Sequence, residues 1–198
     1  MSRTKNIDAE QAIPAAMALF WKHGYHTLGT RQIEEETGIT RFTLQTFYGG
    51  KFSLFLSTLD AYLDAFEMHA APTMTDGNLD TIAAWFETRA EPAMFERIAC
   101  YGCLMLNSTV EFLAENDEVN QRAERFYTMV RDGFRNALTA VKNENYLDAD
   151  FNIDEMSEVL LGATIGVNIV IRSAASNAAG KNMGRSVASL VRGWEAHR

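Results

Sequence analysis

Residues 28–55 read LGTRQIEEETGITRFTLQTFYGGKFSLF, which predicts two short helices joined by a tight turn and followed at once by a longer helix. Thr30 suits the N-cap of the first helix, because its hydroxyl can accept a hydrogen bond from an otherwise unsatisfied backbone N–H. Ile33 and Thr37 fall on one face of that helix. Gly38 is expected to end it, since glycine adopts the left-handed conformation at little cost.

The second short helix is predicted to begin after Thr40, whose hydroxyl can cap it, with Ile39 buried in the turn. Leu44 and Tyr48 lie one turn apart and form the inner face of this helix. Its outer face carries the side chains of Arg41, Phe42, Thr43, Gln45, Thr46 and Phe47. Helix, glycine turn and second helix form the helix-turn-helix pattern, which places the second helix in a DNA major groove.

These residues resemble the tetracycline-repressor (TetR) family of bacterial transcriptional regulators. The family has an apolar helix ending in Phe-x-x-x-Gly-Tyr, then Thr-Arg-x-Ile, then Gly-Ile/Val-x-x-x-x-Leu-Tyr-x-x-Phe-x-x-Lys. The matching residues are Phe20, Gly24, Tyr25, Thr30, Arg31, Ile33, Gly38, Ile39, Leu44 and Lys51. The chain departs from the pattern at Gln45 and Tyr48, where the family prefers Tyr and Phe, and at Phe47, where His is frequent. The resemblance covers roughly a quarter of the chain.

The resemblance implies an all-α fold in two parts. Residues 1–55 would form a three-helix helix-turn-helix DNA-binding domain, and residues 56–198 a helical bundle for effector binding and dimerisation. It implies a ligand-responsive regulator, in most cases a repressor, that binds a palindromic operator as a homodimer. The implied partners are double-stranded operator DNA, a small-molecule effector and a second copy of the chain, with no cofactor and no membrane.

Composition agrees with a folded helical protein. The chain has 198 residues, 47% of them hydrophobic, only three prolines and no sustained alternation of apolar and polar residues. The net charge of −8 is unfavourable for a DNA-binding protein as a whole. Residues 1–55, however, carry six Lys and Arg against five Asp and Glu, so the acidity lies downstream. Local charge governs contact with phosphates, and a DNA-binding N-terminal part is therefore compatible with this total.

Neither a signal peptide nor a membrane span is expected. The N-terminal residues MSRTKNIDAEQ contain no apolar core of a signal peptide. The longest apolar stretch, residues 159–171, is interrupted by Thr164 and Asn168 and is shorter than the ~20 residues of a membrane helix. We therefore expect a cytoplasmic protein.

Helical periodicity extends along the whole chain. Pro14 predicts either a kink in a helix from Asp8 to His23 or a regular helix that starts at Pro14. Its buried stripe would be Ala12, Ala16, Leu19 and Phe20. A helix from Lys51 to His69 would end before Pro72 and the polar run 75–78. The further predicted helices are Leu79–Ala90, Phe95–Glu115, Glu118–Asn143, Ile153–Asn177 and Asn182–His197, with Gly180 and Gly184 at the joint before the last.

The candidate DNA contacts are the cationic, hydroxyl and aromatic side chains around the second short helix. Arg31 and Arg41 could grip a guanine edge or a phosphate, and Lys51 lies where a helix N-terminus also attracts phosphate. Phe42 and Phe47 could pack on thymine methyls or sugars, although Phe47 could instead pack inside the protein. The full predicted set is Thr30, Arg31, Arg41, Phe42, Thr43, Gln45, Thr46, Phe47 and Lys51.

Cys100 and Cys103 form a single C-x-x-C sequence on one face of a predicted helix. A zinc site would need further Cys or His ligands, and the four histidines show no such spacing, so we expect no metal. The alternative to a regulator is a helical redox- or electrophile-sensing protein that uses these two thiols. Residues 102–108, GCLMLNS, resemble a G-C-L-x-x-N-S segment in the branch of the TetR family that includes acrylate- and electrophile-responsive regulators. Plain packing of a small apolar cysteine is the simpler interpretation.

Large apolar side chains in the middle helices could enclose a small-molecule pocket. Asn168 and Arg172 could bind a polar group of the ligand, although a satisfied structural polar pair is the favoured interpretation. The predicted ligand set is Trp85, Tyr101, Cys103, Met105, Asn107, Phe126, Asn168 and Arg172. No Ser/His/Asp or Cys/His constellation and no phosphate-binding loop is apparent, so we expect no enzyme and no catalytic residue.

The segment 160–169, LLGATIGVNI, is apolar on nearly all sides. Such a helix is either deeply buried or part of an oligomer interface. Gly162 and Gly166 lie one turn apart and would allow a close approach by another helix. We therefore expect dimerisation through residues 153–197.

Overall fold

The computed structural model describes residues 9–70, 78–89 and 99–195, and within these ranges the regular structure is entirely helical. The α-helices are α1 Ile13–His23, α2 Thr30–Thr37, α3 Arg41–Thr46, α4 Lys51–His69, α5 Leu79–Arg89, α6 Leu104–Phe112, α7 Asp117–Asn143, α8 Ile153–Ala174 and α9 Asn177–Arg192. Short 3-10 segments precede α1 (Ala9–Ala12) and α6 (Ala99–Tyr101). The predicted all-α class is confirmed. Pro72 and most of the polar run after it lie outside the described residues.

Pro14 occupies the first turn of α1, where its missing N–H costs nothing. The second of the two predicted alternatives is therefore correct, and the residues before it form a 3-10 segment. Ala16 and Phe20 are buried as expected. Leu19, in contrast, is only half-buried, and Trp21 is buried in addition to the predicted stripe.

The helix-turn-helix is formed by α2 and α3, with one correction to its caps. Gly29, not Thr30, is the N-cap of α2, and no side chain caps this end; Thr30 is instead the first helical residue. Gly38 ends α2 with φ of 75°, as expected. Thr40 caps α3, because its hydroxyl accepts a hydrogen bond from the N–H of Thr43 at 3.0 Å.

The chain divides into two compact units. Unit 1 comprises residues 1–64 and 104–123, and unit 2 comprises residues 65–103 and 124–198. Helices α4 and α7 each run from one unit into the other. The units reflect packing and not function, so the functional boundary expected near residue 55 stays a prediction.

Unit 1 is held together by apolar residues from the helix-turn-helix and by an aromatic cluster. Phe20 meets Phe55 edge to face, with ring centroids 5.0 Å apart. Phe55 in turn stacks on Phe112 of α6 at 5.6 Å. Ile33 and Leu44, from the inner faces of α2 and α3, are also buried. This core fixes the positions of the two short helices.

Unit 2 is built on the amphipathic helix α7 and on the close packing of α9. Within this unit, the inner side of α7 places a buried residue every three or four positions, at Phe126, Val130, Phe134, Ala137, Leu138 and Val141. Gly180 and Gly184 lie within α9 and do not mark a joint before it, which corrects the expectation. A Cβ at Gly180 would lie 2.6 Å from Cγ1 of Ile171, and one at Gly184 2.5 Å from the carbonyl oxygen of Phe86. The two glycines therefore let α9 approach α8 and α5 closely.

The helix predicted for residues 95–115 is interrupted. Residues 95–98 lie outside the described ranges, Ala99–Tyr101 is a 3-10 turn, and α6 begins only at Leu104. Gly102 has φ of +72°, and a Cβ there would lie 2.7 Å from the carbonyl oxygen of Asn168. Only glycine fits this backbone conformation and this close approach.

Helix α8 is, in the described ranges, the one helix long and apolar enough by length and composition to cross a membrane. It packs against α9 through residues that include Val167 and Ile171, both buried. Asp154 and Glu155 charge its first turn, and Arg172 its last. One side of α8 thus packs within the chain, whereas Val159 and Ile169 on another side are exposed.

Candidate nucleic-acid interface and effector site

Helix α3 presents an unusually apolar outer face. Phe42 is 75% exposed and Phe47 58% exposed, with Arg41, Gln45 and Thr46 also open to solvent. Two largely exposed phenylalanines so close together are uncommon on a protein surface that has no partner. The ring of Phe47 also meets that of Tyr48 edge to face at 5.0 Å, so part of its surface is used inside the protein.

The threonine hydroxyls of α3 are engaged within the helix. The hydroxyl of Thr46 donates to the carbonyl oxygen of Phe42 at 2.8 Å. The hydroxyls of Thr43 and Thr40 lie 3.0 Å apart and share a hydrogen bond. The Thr46 hydroxyl proton is therefore used inside the helix, whereas Arg41 and Gln45 carry exposed side-chain donors.

The two arginines differ in their surroundings. Nε of Arg31 forms an ion pair with Glu35 at 2.8 Å, and this carboxylate raises the pKa of the Arg31 guanidinium. The Arg31 side chain is 91% exposed, and an exposed pair of this kind adds little stability, so exchanging Glu35 for a phosphate costs little. Arg41 has no ion-pair partner among the residues that the structure describes.

Lys51 begins α4 and lies over an aromatic ring. Its Nζ is 4.3 Å from the ring centroid of Tyr25, a distance typical of a cation–π contact. Burial lowers the pKa of Lys51, and the negative charge of Glu111 opposes part of this shift. Thr30, at the start of α2, is exposed. The structure thus places the nine predicted DNA-contact residues in one unit, on α2, on α3, in the turn after α3 and at the start of α4.

Two residues of this region were not predicted from the sequence as site residues. Glu111 on α6 accepts hydrogen bonds from the backbone N–H groups of Tyr25 and His26, at 2.9 and 2.7 Å. Tyr25, which the sequence supplied only as part of a family pattern, carries Lys51 on its ring. Glu111 is 86 positions from Tyr25, and no local pattern could have joined them.

The eight predicted ligand residues do not all lie in one unit. Trp85 and Phe126 both contact Phe66, with ring centroids 6.0 and 5.1 Å apart, and both are buried. The guanidinium of Arg172 lies 5.6 Å from the ring centroid of Tyr101. The side-chain amide of Asn168 donates to the carbonyl oxygen of Thr164 at 2.9 Å. These residues and Cys103 belong to unit 2, whereas Met105 and Asn107 belong to unit 1.

Unit 2 also contains an open groove of about 330 Å³ that the sequence did not predict. It is lined by Asn78, Leu79, Asp80, Val141, Glu144, Tyr146, Arg192 and Glu195. Arg192 bridges Asp80 and Glu87 there, at 2.9 and 2.8 Å. Among the described residues, none of the eight predicted ligand residues lines this groove.

The two cysteines are thiols and do not share a helical face. Cys100 lies in the 3-10 turn and is half-buried, whereas Cys103 directly precedes α6 and is only 4% exposed. The left-handed Gly102 between them breaks the helical spacing on which the expectation rested. In the described part of the chain, no group of three or more His, Cys, Asp or Glu side chains is placed to hold a metal ion.

Two family models match the sequence. Residues 12–58 match the family described as "Bacterial regulatory proteins, tetR family". Residues 79–187, more than half of the chain, match "Tetracyclin repressor-like, C-terminal domain". The first range contains α1 to α3 and the start of α4, and the second contains α5 to α8 and most of α9.

Individual proteins are similar over nearly the whole length. The HTH-type transcriptional repressor ComR of Escherichia coli (strain K12) is 24% identical over 184 residues, which are 88% of this chain and 84% of ComR. The regulator CifR, solved as a cysteine mutant with a 26-bp double-strand operator DNA, superposes with a TM-score of 0.79 at 17% identity, covering 98% of this chain and all of CifR. Escherichia coli NemR in its reduced form superposes with a TM-score of 0.76 at 15% identity, covering 95% and 97% of the two chains.

Proposed function

The chain belongs to the TetR family of bacterial transcriptional regulators, and on this premise we propose that it is a repressor that binds a palindromic operator as a homodimer and releases it when a small molecule binds. Proteins of this family are DNA-binding regulators and not enzymes. The observation that carries the proposal is the outer face of α3, where Phe42 and Arg41 are exposed on a helix capped and buried as in a helix-turn-helix.

DNA binding is proposed to divide between base readout and phosphate contact. Arg41 and Gln45 carry exposed side-chain donors on α3, and both suit the major-groove edges of purines. Arg31 and Lys51 lie on the flanking helices and suit phosphates, which fix register without reading sequence. The ComR and CifR matches support DNA binding itself, because one is named a repressor and the other was solved with operator DNA.

Substitution of Arg41 and Lys51 tests the DNA-binding proposal. Duplexes selected from random DNA by the purified protein provide the operator. Arg41→Ala should weaken operator binding by about 1–3 kcal/mol and relax the base preference, whereas Lys51→Ala should weaken binding to every sequence and lower the salt dependence by about one counterion. Arg135→Ala, which removes a cation of unit 2, is the control and should bind as the wild type does. Unchanged binding by both test variants contradicts the proposal.

A homodimer is proposed to form through α8 and α9. Val159, Gly162 and Ile169 lie on one side of α8 and are exposed in the single chain. Leu190 of α9 is 54% exposed as well. Burial of such apolar surface drives association. Two copies would then present two α3 helices to half-sites separated by about one turn of DNA, ~34–36 Å, or somewhat more.

The effector is proposed to be a small molecule bound within unit 2, among the predicted ligand residues Trp85, Tyr101, Cys103, Phe126, Asn168 and Arg172. Support for this proposal comes from the aromatic group around Phe66 and from the polar side chains of Asn168 and Arg172, all of which belong to unit 2. A ligand can shift operator binding only by the difference in its affinity for the two states of the protein. Because the proposed function requires binding to chromosomal DNA, we propose that the protein is located in the cytoplasm.

Covalent sensing by Cys100 or Cys103 is the second candidate for the effector response. The segment GCLMLNS at residues 102–108 favours it, and so does similarity to CifR, whose solved forms carry cysteine substitutions. The burial of Cys103 opposes it, because the attacking species is an accessible thiolate. Reversible binding is therefore proposed first. Release of operator by an electrophile such as acrolein from the wild type but not from Cys100→Ser or Cys103→Ser would reverse this order.

A further inference from the structure

Glu111 reaches from α6 to the loop between α1 and α2. Its Oε2 accepts a hydrogen bond from the N–H of Tyr25 at 2.9 Å, and its Oε1 accepts one from the N–H of His26 at 2.7 Å. One carboxylate therefore satisfies two consecutive backbone donors. Hydrogen bonds to an ionised acceptor are about twice as strong as those between neutral groups.

Gly24 shows that the loop is shaped around this carboxylate. Its φ is +77°, and a Cβ at this position would lie 2.9 Å from both carboxylate oxygens of Glu111. A side chain there would have to displace the carboxylate as well as adopt an unfavourable backbone conformation. The glycine at the end of α1 thus serves the contact with Glu111 as well as the turn.

Tyr25 connects this contact to the DNA-facing side of unit 1. Its backbone N–H is held by Glu111, and its ring lies beneath Nζ of Lys51 at 4.3 Å. The ring is also held from α6, since Phe112 lies 5.3 Å away, and from α4, since Phe52 lies 5.7 Å away edge to face. The position of the Lys51 ammonium therefore depends on the position of the Tyr25 ring, and that in turn on Glu111.

We propose that Glu111 is a positioning residue for operator binding: it holds the α1–α2 loop and the Tyr25 ring, and thereby directs Lys51 to a DNA phosphate without touching the DNA itself. The proposal rests on the phosphate contact assigned to Lys51 in the proposed function.

Whether operator affinity rises or falls on removal of the Glu111 charge distinguishes a positioning role from a long-range electrostatic one. Removal of a carboxylate makes the protein less negative, so long-range attraction to the polyanionic DNA should increase. Positioning predicts the opposite, because the cation that approaches the phosphate is no longer held. Gln is the suitable replacement, since it keeps the shape but offers one acceptor and an NH2 group, which cannot accept the second backbone N–H.

The experiment compares Glu111→Gln, Lys51→Ala, the double variant and wild type in full-length protein, by titration of a duplex that the wild type selects from random DNA, at several salt concentrations. Glu111→Gln should bind on the order of tenfold more weakly, the factor that one hydrogen bond to a charged group supplies. The slope of its log binding constant against log salt concentration should become shallower by about one released counterion, as in Lys51→Ala. The double variant should bind no more weakly than Lys51→Ala alone.

Glu115→Gln is the matched control, because it removes the same charge from an exposed position just beyond α6. It should bind the operator as tightly as the wild type or more tightly. If Glu111→Gln behaves like Glu115→Gln, the proposal is overturned. It is also overturned if Glu111→Gln binds weakly with an unchanged salt dependence per active molecule, since a merely structural role would give that result.

A second variant tests the same link without changing Glu111. Tyr25→Leu removes the ring beneath Lys51 but leaves the backbone N–H that Glu111 accepts. It should lower the salt dependence as Glu111→Gln does, and a wild-type salt dependence would count against the proposal. Failure of wild type to select any duplex would overturn the proposed function and this inference together, whereas selective wild-type binding with no effect of Glu111 would overturn the inference alone.

Discussion

Phe42 is the most exposed aromatic side chain of the proposed DNA-binding surface, at 75%. It extends from the first turn of α3, where recognition helices of helix-turn-helix proteins contact base edges. The Thr46 hydroxyl donates within the helix, to the carbonyl oxygen of Phe42, and the exposed surface of Phe42 itself is an apolar ring. The complementary feature of a major groove is the C5-methyl group of thymine.

Thymine methyls are therefore expected to contribute to operator affinity through Phe42. Replacement of a contacted thymine by uracil should weaken wild-type binding by about 0.8 kcal/mol, the hydrophobic contribution of one buried methylene-sized group. This corresponds to a roughly fourfold loss of affinity. In Phe42→Ala the same DNA replacement should have no effect. The measurement is a titration of operator duplexes with single uracil substitutions.

Met68→Ala is the control protein for this measurement, since it shortens a side chain that is 69% exposed in unit 2. It should retain the wild-type response to uracil. Equal sensitivity to uracil in wild type and Phe42→Ala would show that Phe42 does not read the methyl group.

At the scale of the secondary-structure element, the N-termini of the two C-terminal helices, α8 and α9, are stabilised differently. Asn152 caps α8, because its side-chain oxygen accepts a hydrogen bond from the N–H of Glu155 at 3.2 Å. Ser176 occupies the same position before α9 but makes no such bond. Helix α9 is instead anchored by packing, through Gly180 and Gly184. Local capping and tertiary packing thus contribute unequally to two neighbouring helices.

Substitution of the two caps should reveal this difference. Asn152→Ala is expected to lower the free energy of unfolding by about 1 kcal/mol, because a backbone donor loses its acceptor. Ser176→Ala should change it by less than about 0.5 kcal/mol. Urea unfolding followed by circular dichroism, at one fixed protomer concentration, measures both. Equal losses in the two variants would contradict the assignment of the caps.

At the scale of the whole molecule, the exposed apolar side of α8 is the surface through which we propose that the chain dimerises. The structure corrects which glycine could serve an interface between copies. A Cβ at Gly166 would lie 2.6 Å from Cε of Met183 in the same chain, so Gly166 serves packing within the protomer. Gly162 has nothing within 4 Å of the same position and is exposed. Gly162, and not Gly166, is therefore the position from which to test dimerisation.

Gly162→Arg is expected to convert a dimer into a monomer. The substitution places a long charged side chain on the proposed interface, while the helix itself gains, since glycine is about 1 kcal/mol less favourable than alanine inside a helix. Light scattering of the variant should give the mass of one chain, against two for the wild type, with an unchanged circular dichroism spectrum. Asn136→Arg, at an exposed site on α7, is the control and should remain dimeric. A monomeric wild type would contradict the dimer.

The sequence by itself determined the features that arise between residues close along the chain. Gly38 and Thr40 correctly predicted the end of α2 and the start of α3. Caps and left-handed turns involve hydrogen bonds between residues only a few positions apart, so the local sequence predicts them. Periodic apolar residues likewise predicted α4 and α7 to within a residue. All nine candidate DNA-contact residues could be named for the same reason, since they lie within 22 positions, from Thr30 to Lys51.

Only the tertiary structure decided what depends on residues far apart in the chain. Glu111 holds the backbone of Tyr25 across 86 positions, and periodicity carries no information about such a pair. Gly102 breaks the predicted helix because α8 passes so close to it, and Gly180 and Gly184 lie inside α9 because packing outweighs the low helix propensity of glycine. Hydrogen bonding within a helix turn is local, and a sequence pattern can therefore predict it. Packing joins segments that are distant in the chain, and only the tertiary structure shows which segments meet.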